Sequence, residues 1–191
     1  MKSTFLIFIV FVNLTAQSYK VGTTLNFGPE SSNISNSLGG SLFFDFPLNQ
    51  RISLRSDLSL LFSKLNLESS NYKISIVSFE EFMLYNKNWN GTKIIAGFGL
   101  GYFRSYINES MVLNKNHNTI SKIYDAFGMS LQIGFETSPS DNFSFYFLIK
   151  KTFIPAETDI KYIDKYNIIN EFRSGVELGQ FILSLGGRIN L

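Results

Sequence analysis

The sequence predicts an all-β protein, a single antiparallel up-and-down transmembrane β-barrel of eight strands. Three observations lead there. Beyond the first 18 residues, bulky apolar and small or polar residues alternate with period two, the mark of strands with two different faces. Short connections rich in turn formers alternate with longer polar ones, as in a meander with tight turns at one end. Gly, Ser, Asn or a charge interrupts every later apolar run, so none reaches the roughly 20 residues of a spanning helix. A chain that meets lipid without such a helix must pair every backbone N–H and C=O in a closed sheet.

The 191 residues begin with an address. Lys2 supplies a positive start, Phe5 to Val12 is an unbroken apolar run, and "NLTAQS" (Asn13 to Ser18) ends it in small and polar residues. This reads as a secretory signal peptide over residues 1–16, cut after Ala16, with the barrel domain over 17–191. There is no cysteine, so an exported chain must rely on burial and backbone pairing, without disulfides or thiolate metal sites. A net charge of +2 excludes a strongly basic surface for nucleic acid. Aromatics make up 16% of the chain, which suits a lipid-facing wall with interface belts.

The strands follow in order. "YKVGTTLNF" sets Tyr19, Val21, Leu25 and Phe27 against Lys20, Gly22, Thr24 and Asn26. "SLGGSLFFDF" sets Leu38, Leu42, Phe44 and Phe46 against Gly39, Ser41 and Asp45, with Phe43 as the exception. "RISLRSDLSLLF" sets Ile52, Leu54, Leu58, Leu60 and Phe62 against Ser53, Arg55, Asp57 and Ser59. Tyr72 to Tyr85 is apolar but ambiguous in phase, because Glu80 and Glu81 are adjacent and one must face the apolar side unless a bulge intervenes. Glu80 is expected inward. "TKIIAGFGLGYF" alternates Gly97, Gly99 and Gly101 with Ala96, Phe98, Leu100 and Tyr102. "AFGMSLQIGFE" and "FSFYFLIKK" give the next two, and Phe181 to Leu191 the last crossing, with the stretch before "ELGQ" (Glu177 to Gln180) in or near a loop.

Pro47–Gln50, Asn86–Gly91 and Ser138–Asn142 read as tight turns. Gly28–Asn36, Asn66–Asn71, Asn108–Lys122 and Pro155–Asn167 read as the longer loops of the opposite side. Trp89, in a tight turn, suits either an interface belt or packing.

In an eight-strand barrel the interior just holds side chains. Outward, against lipid, the sequence places Ile94, Phe98, Leu100, Phe127, Leu131, Ile133, Phe145, Phe147, Leu183 and Leu185. Inward it places Gly97, Gly99 and Gly101, which leave room for longer neighbours. Inward too go the charges Arg55, Asp57, Glu80, Glu136, Lys150 and Arg188, of both signs and so able to pair across the tube. Structural filling of the lumen is the expectation over an ion pathway.

With "TAQS" at the cleavage region, "VSFEEFMLY" (Val77 to Tyr85), "IIAGFGLGYF" (Ile94 to Phe103) and the ending "FILSLGGRINL", the chain resembles the small porin-like outer-membrane β-barrel proteins of Bacteroidota. The resemblance implies a cell-envelope barrel inserted by the barrel assembly machinery. It departs from the family where Glu81 and Phe82 stand in place of a usual proline. It departs again at Leu191, where such barrels end in Phe or Tyr.

Chemistry is sparse. "GFGLG" is G-x-G-x-G with no helix pattern after it, not a dinucleotide fingerprint. His117, the single histidine, sits in polar "NKNHNT"; Ser110, Ser121 and Glu109 lie nearby and define the alternative of a lipid-modifying barrel hydrolase. One His with scattered carboxylates is a weak metal set. The sequence therefore assigns no catalytic, cofactor or metal residue. The expected function is structural, interactive or porin-like, in a monomer surrounded by outer-membrane lipid, with loops open to an extracellular ligand. The other alternative, a soluble lipocalin-like barrel with an apolar ligand, would reverse the faces, turning Phe98 and Phe145 in and Arg55 and Glu136 out.

Overall fold

A computed structural model describes residues 19–31, 33–67, 70–112, 119–163 and 169–190. The signal segment 1–16 and His117 lie outside the described residues, as do the side chains of Glu109 and Ser110. The strands are β1 (Lys20–Gly28), β2 (Ser37–Pro47), β3 (Ile52–Leu67), β4 (Ser70–Trp89), β5 (Thr92–Val112), β6 (Thr119–Ile123), β7 (Ala126–Ser140), β8 (Phe143–Phe153), β9 (Pro155–Ile163), β10 (Ile169–Glu177) and β11 (Phe181–Asn190).

Eight of them close a barrel in the order β1-β11-β8-β7-β5-β4-β3-β2, every neighbour antiparallel. Closure comes from β1 against β11, where Lys20 faces Asn190 and Phe27 faces Leu183. The barrel thus has no sheet edge. The tight turns behave as their residues dictate. Asn90 and Gly91 both take positive φ, 48° and 80°, and join β4 to β5 in a two-residue hairpin. This is the primed turn that matches the twist of paired strands, and Asn-Gly adopts it most readily. Asn49 caps the β2–β3 turn, its side-chain oxygen accepting from the backbone N–H of Arg51 and Ile52 at 2.8 Å each.

β3, β4 and β5 run 16, 20 and 21 residues, well past the 9–11 or so that cross a bilayer. The sequence reading ends these strands earlier, at polar Asn66–Asn71 and Asn108. The ladder continues instead, with Leu65 opposite Tyr72 and Leu67 opposite Ser70. The inner side of this extension is apolar, and Leu65, Tyr72 and Ile74 are buried there.

What buries them is a second sheet. Residues assigned from sequence to loops form the order β10-β9-β6, from 119–123, 155–163 and 169–177. Its Ile120, Ile123 and Ala156 join one apolar core with Ile34, Leu61, Tyr72, Ile76, Phe103 and Ile182. Polar composition hid these strands because one side lies open to solvent and only the other packs. The sheet leaves the barrel at a corner. The Glu177 carboxylate accepts from the backbone N–H of Ile154 and Gly179 at 2.7 Å each, and Gln180 N–H donates to Thr152 Oγ1 at 3.0 Å. Gly179 is required there, because a Cβ would collide with the Thr152 carbonyl oxygen.

The wall divides by side. Outside stand Phe98, Leu100, Phe127, Leu131, Ile133, Phe145 and Leu185, with Phe127 79% exposed. Ile94, Phe147 and Leu183 share that side and are half-buried by neighbours. Trp89 is exposed at the β4–β5 hairpin. Phe43 faces inward, which accounts for its break in the pattern: odd-numbered residues of β2 point in, and Phe43 is one of them. The reversed faces of a lipocalin arrangement are not those of this barrel.

Candidate functional site

The interior holds a polar network in two tiers. At its base Asp45 sits opposite Arg55 in the β2–β3 register and takes a two-point contact, Nε to Oδ1 at 2.6 Å and Nη2 to Oδ2 at 2.9 Å. Arg188, from β11, donates through Nη1 to Asp45 Oδ2 at 2.5 Å and pairs through Nη2 with Glu136 of β7. Glu136 also faces Lys93 of β5 at 3.7 Å. Strands β2, β3, β11, β7 and β5 are thereby tied across the tube by side chains alone, in addition to their backbone pairing.

The upper tier centres on Glu80. It accepts from Lys150 Nζ at 2.7 Å, from Ser78 Oγ at 3.2 Å and from Ser130 Oγ. Ser78 in turn shares a hydrogen bond with Ser59 at 2.6 Å. Asp57 stands between the tiers, 3.5 Å from the Ser41 hydroxyl. The network thus contains four carboxylates (Asp45, Asp57, Glu80, Glu136) and four cations (Arg55, Lys93, Lys150, Arg188), with half-buried Lys20 of β1, opposite Asp45, as a fifth cation at its edge. Opposite charges set close together are what a low-dielectric interior tolerates, since an ion stripped of water without a partner costs several kcal/mol.

Aromatic rings fill the gaps. The Arg55 guanidinium lies 4.0 Å from the Phe43 ring centre, and Phe43 meets Tyr146 edge to face at 5.2 Å. Tyr146 hands its hydroxyl hydrogen to the Thr23 carbonyl at 3.0 Å. The three glycines of β5 stand opposite the bulky inward residues of β4: Gly97 opposite Leu84, Gly99 opposite Phe82, Gly101 opposite Glu80. A Cβ at Gly99 would lie 2.5 Å from the Phe82 ring, and one at Gly101 2.6 Å from Glu80 Cγ. The bare strand is the space into which its neighbour's side chains lie. Beside Glu80 and Lys150 is a void of about 10 Å³, close to the least that admits a single water.

All six charges named from sequence lie in this interior, buried to 7% exposure or less. Asp45 and Lys93, which complete it, were not singled out from sequence. Spacing did not mark Asp45, because the turn read as Pro47–Gln50 lies two residues from Asp45 and five from Arg55; only the β2–β3 register sets the two opposite each other. Lys93 carried no mark either. Glu81 stands on the outer side, as the alternation of β4 requires once Glu80 is inside, and no bulge interrupts β3–β4 pairing.

A second polar assembly lies on the outer sheet. Tyr124 donates to Asp159 at 2.6 Å; Arg173 donates to the Tyr124 hydroxyl at 2.8 Å, to Asp159 at 3.3 Å and to Glu157 at 3.3 Å. The hydrogen bond from Tyr124, then the Arg173 guanidinium, holds the Asp159 carboxyl below its usual range, and the same bond raises the Tyr124 phenol. Between this sheet and the β5 rim is an open concavity of about 510 Å³, bordered by Arg104, Tyr106, Ser121, Lys122, Tyr124 and Asp125. Ser121 bonds the Asp159 carbonyl and Glu171 there. No cluster of His, Asp and Glu suited to a metal occurs among the described residues.

No family model matches the chain, and no curated protein matches it. Solved structures do. The outer membrane protein OprG of Pseudomonas aeruginosa aligns with TM-score 0.73 at 11% identity, over 93% of this chain and 97% of that one. Neisserial surface protein A aligns with TM-score 0.62 at 10% identity, over 90% and 95%. A major outer membrane protein of Thermus thermophilus aligns with TM-score 0.57 at 14% identity, over 91% and 98%. At these identities the likeness is one of fold: this chain shares the closed antiparallel eight-strand barrel of small outer-membrane proteins.

Proposed function

We propose that this protein is an integral outer-membrane barrel of a Gram-negative bacterium, of the small porin-like kind found in Bacteroidota. Its work is structural and interactive. A signal peptide over residues 1–16 exports it, the barrel assembly machinery inserts it, and outer-membrane lipid surrounds the wall. One observation carries this reading: polarity runs inside out, with Arg55 1% exposed in the interior while Phe127 and Leu131 stand bare outside. In water that arrangement would be costly at every outward residue; in hydrocarbon it is the stable one. The filled interior weighs for a structural tube over a conduit. The mechanism is placement, with the sheet of β6, β9 and β10 and its concavity beside Arg104 and Lys122 held outside the cell for an extracellular ligand.

The test is fractionation combined with electrophoresis of unboiled and boiled samples. The protein is expected in the detergent-extracted outer-membrane fraction, with a mobility that changes on boiling as the barrel opens. Recovery from the soluble periplasmic fraction, or a mobility indifferent to heating, would refute the reading.

A further inference from the structure

The outer wall carries a polar pair set among apolar residues. Ser56 of β3 and Glu81 of β4 are direct cross-strand partners, and the Ser56 hydroxyl reaches both carboxylate oxygens of Glu81, at 2.7 and 2.9 Å. Both side chains are on the outward side and half-buried. Leu58 and Phe79 stand beyond the pair toward the outer sheet, Leu54 and Met83 beyond it toward the tight turns. Laterally, Ser56 faces Phe44 and Glu81 faces Leu100. The carboxyl therefore lies deep within the apolar band, away from both rims.

Ser56 offers Glu81 a single hydroxyl, so most of the carboxyl's bonding capacity is unused on this wall. An ionisable group in such a position points to a partner able to meet it. The Ser56–Glu81 pair is self-complementary: it offers a donor and acceptors side by side, at one depth, on adjacent strands. A two-fold axis along the membrane normal preserves depth and brings the pair against its own copy, in the isologous contact that closes a dimer. The two carboxyls can then join by sharing a proton, as facing carboxyls at one site do. Small Ser56 permits close approach, and Phe44, Leu58, Met83 and Leu100 supply the apolar surround.

We infer that the β3–β4 wall is a homodimer interface within the membrane, centred on Ser56 and Glu81. This replaces the monomer expected from sequence and rests on the membrane reading above. The chain's lack of cysteine makes the test direct. Met83→Cys, beside the pair, is treated in native membranes with a short bismaleimide, with Ile133→Cys on β7 as the control. The expected result is a covalent dimer from Met83→Cys and none from Ile133→Cys. Adding Glu81→Leu, or Glu81→Ala should the leucine variant fail to fold, should cut the yield at least tenfold, while Glu81→Gln, still able to pair with itself, retains it. Equal cross-linking at both positions, no dimer from Met83→Cys, or an undiminished yield without Glu81 overturns the inference. The heat-dependent mobility of the same samples keeps the two readings apart. A heat-modifiable outer-membrane protein that does not cross-link refutes the dimer alone, and a protein absent from the membrane refutes both.

Discussion

Asp45 and Arg55 face each other across the β2–β3 ladder and meet through two hydrogen bonds, at 2.6 and 2.9 Å, with both side chains almost wholly excluded from solvent. Arg188 closes on the same carboxylate from β11, 143 residues away in sequence. One anion therefore holds two cations, and its loss leaves both without it. Asp45→Ala is expected to destabilise the folded barrel by about 3–5 kcal/mol, the usual cost of breaking a buried pair from one side. Asp45→Leu combined with Arg55→Met should recover much of that loss. Urea unfolding in lipid vesicles, followed by the heat-dependent gel shift, measures both.

Gly99 and Phe82 form a complementary pair of another kind. A Cβ on Gly99 would lie 2.5 Å from the Phe82 ring. Gly99→Val should therefore cost about 1–3 kcal/mol through overpacking, although valine favours strands. Phe82→Ala in the same chain should relieve most of the cost of the added side chain. A double-mutant cycle on unfolding midpoints reads the coupling, and strictly additive effects would show that the two do not share space.

The outward position of Leu131 gives a test of the wall itself. On a wall bathed in hydrocarbon, Leu131→Arg is expected to cost about 2–4 kcal/mol, whereas the same change in the exposed β7–β8 turn, Asn142→Arg, should cost about 0.5 kcal/mol or less. Refolding yield into vesicles distinguishes them. Similar yields would mean that no apolar solvent surrounds Leu131.

The outer sheet should respond to acid independently of the barrel. Tyr124 and Arg173 hold the Asp159 carboxyl below its usual range, so its ionised form supports the fold. A depressed pKa contributes stability that is complete above the ordinary carboxylate pKa and is lost as pH falls through the lowered one. Amide exchange in β9 and β10 is expected to rise on acidification through that window while exchange in β1 and β11 stays slow. Tyr124→Phe removes the largest cause of the depression, so it should loosen the sheet already at neutral pH and shrink the change on acidification. An unchanged profile in that variant would show that the hydrogen bond does not govern the sheet.

Particular residues show what alternation alone could tell. The strands from Thr92 to Phe103 and from Ala126 to Glu136 could be read with their faces, because Gly and bulky residues take turns without interruption. Glu80 and Glu81 could be read as a conflict, though not as two separate sites. Alternation places Asp45 on the small-residue side but cannot show it as the hub, since a hub requires Arg188 from the far end of the chain. Strands β6, β9 and β10 are hidden by their polar composition, because one side is open to solvent and the other packs on barrel residues far away in sequence.

By itself the sequence determined that this protein is a closed sheet with one oily and one polar side, because side chains on a strand must alternate and an unpaired backbone is intolerable in lipid. Only the tertiary structure decided which charges meet, what packs against the apolar inner side of the long strands and that Glu81 is left facing outward. The physical reason is that ion pairs and shared apolar cores join strands distant in the chain, and which of these meet is set by packing, not by local pattern.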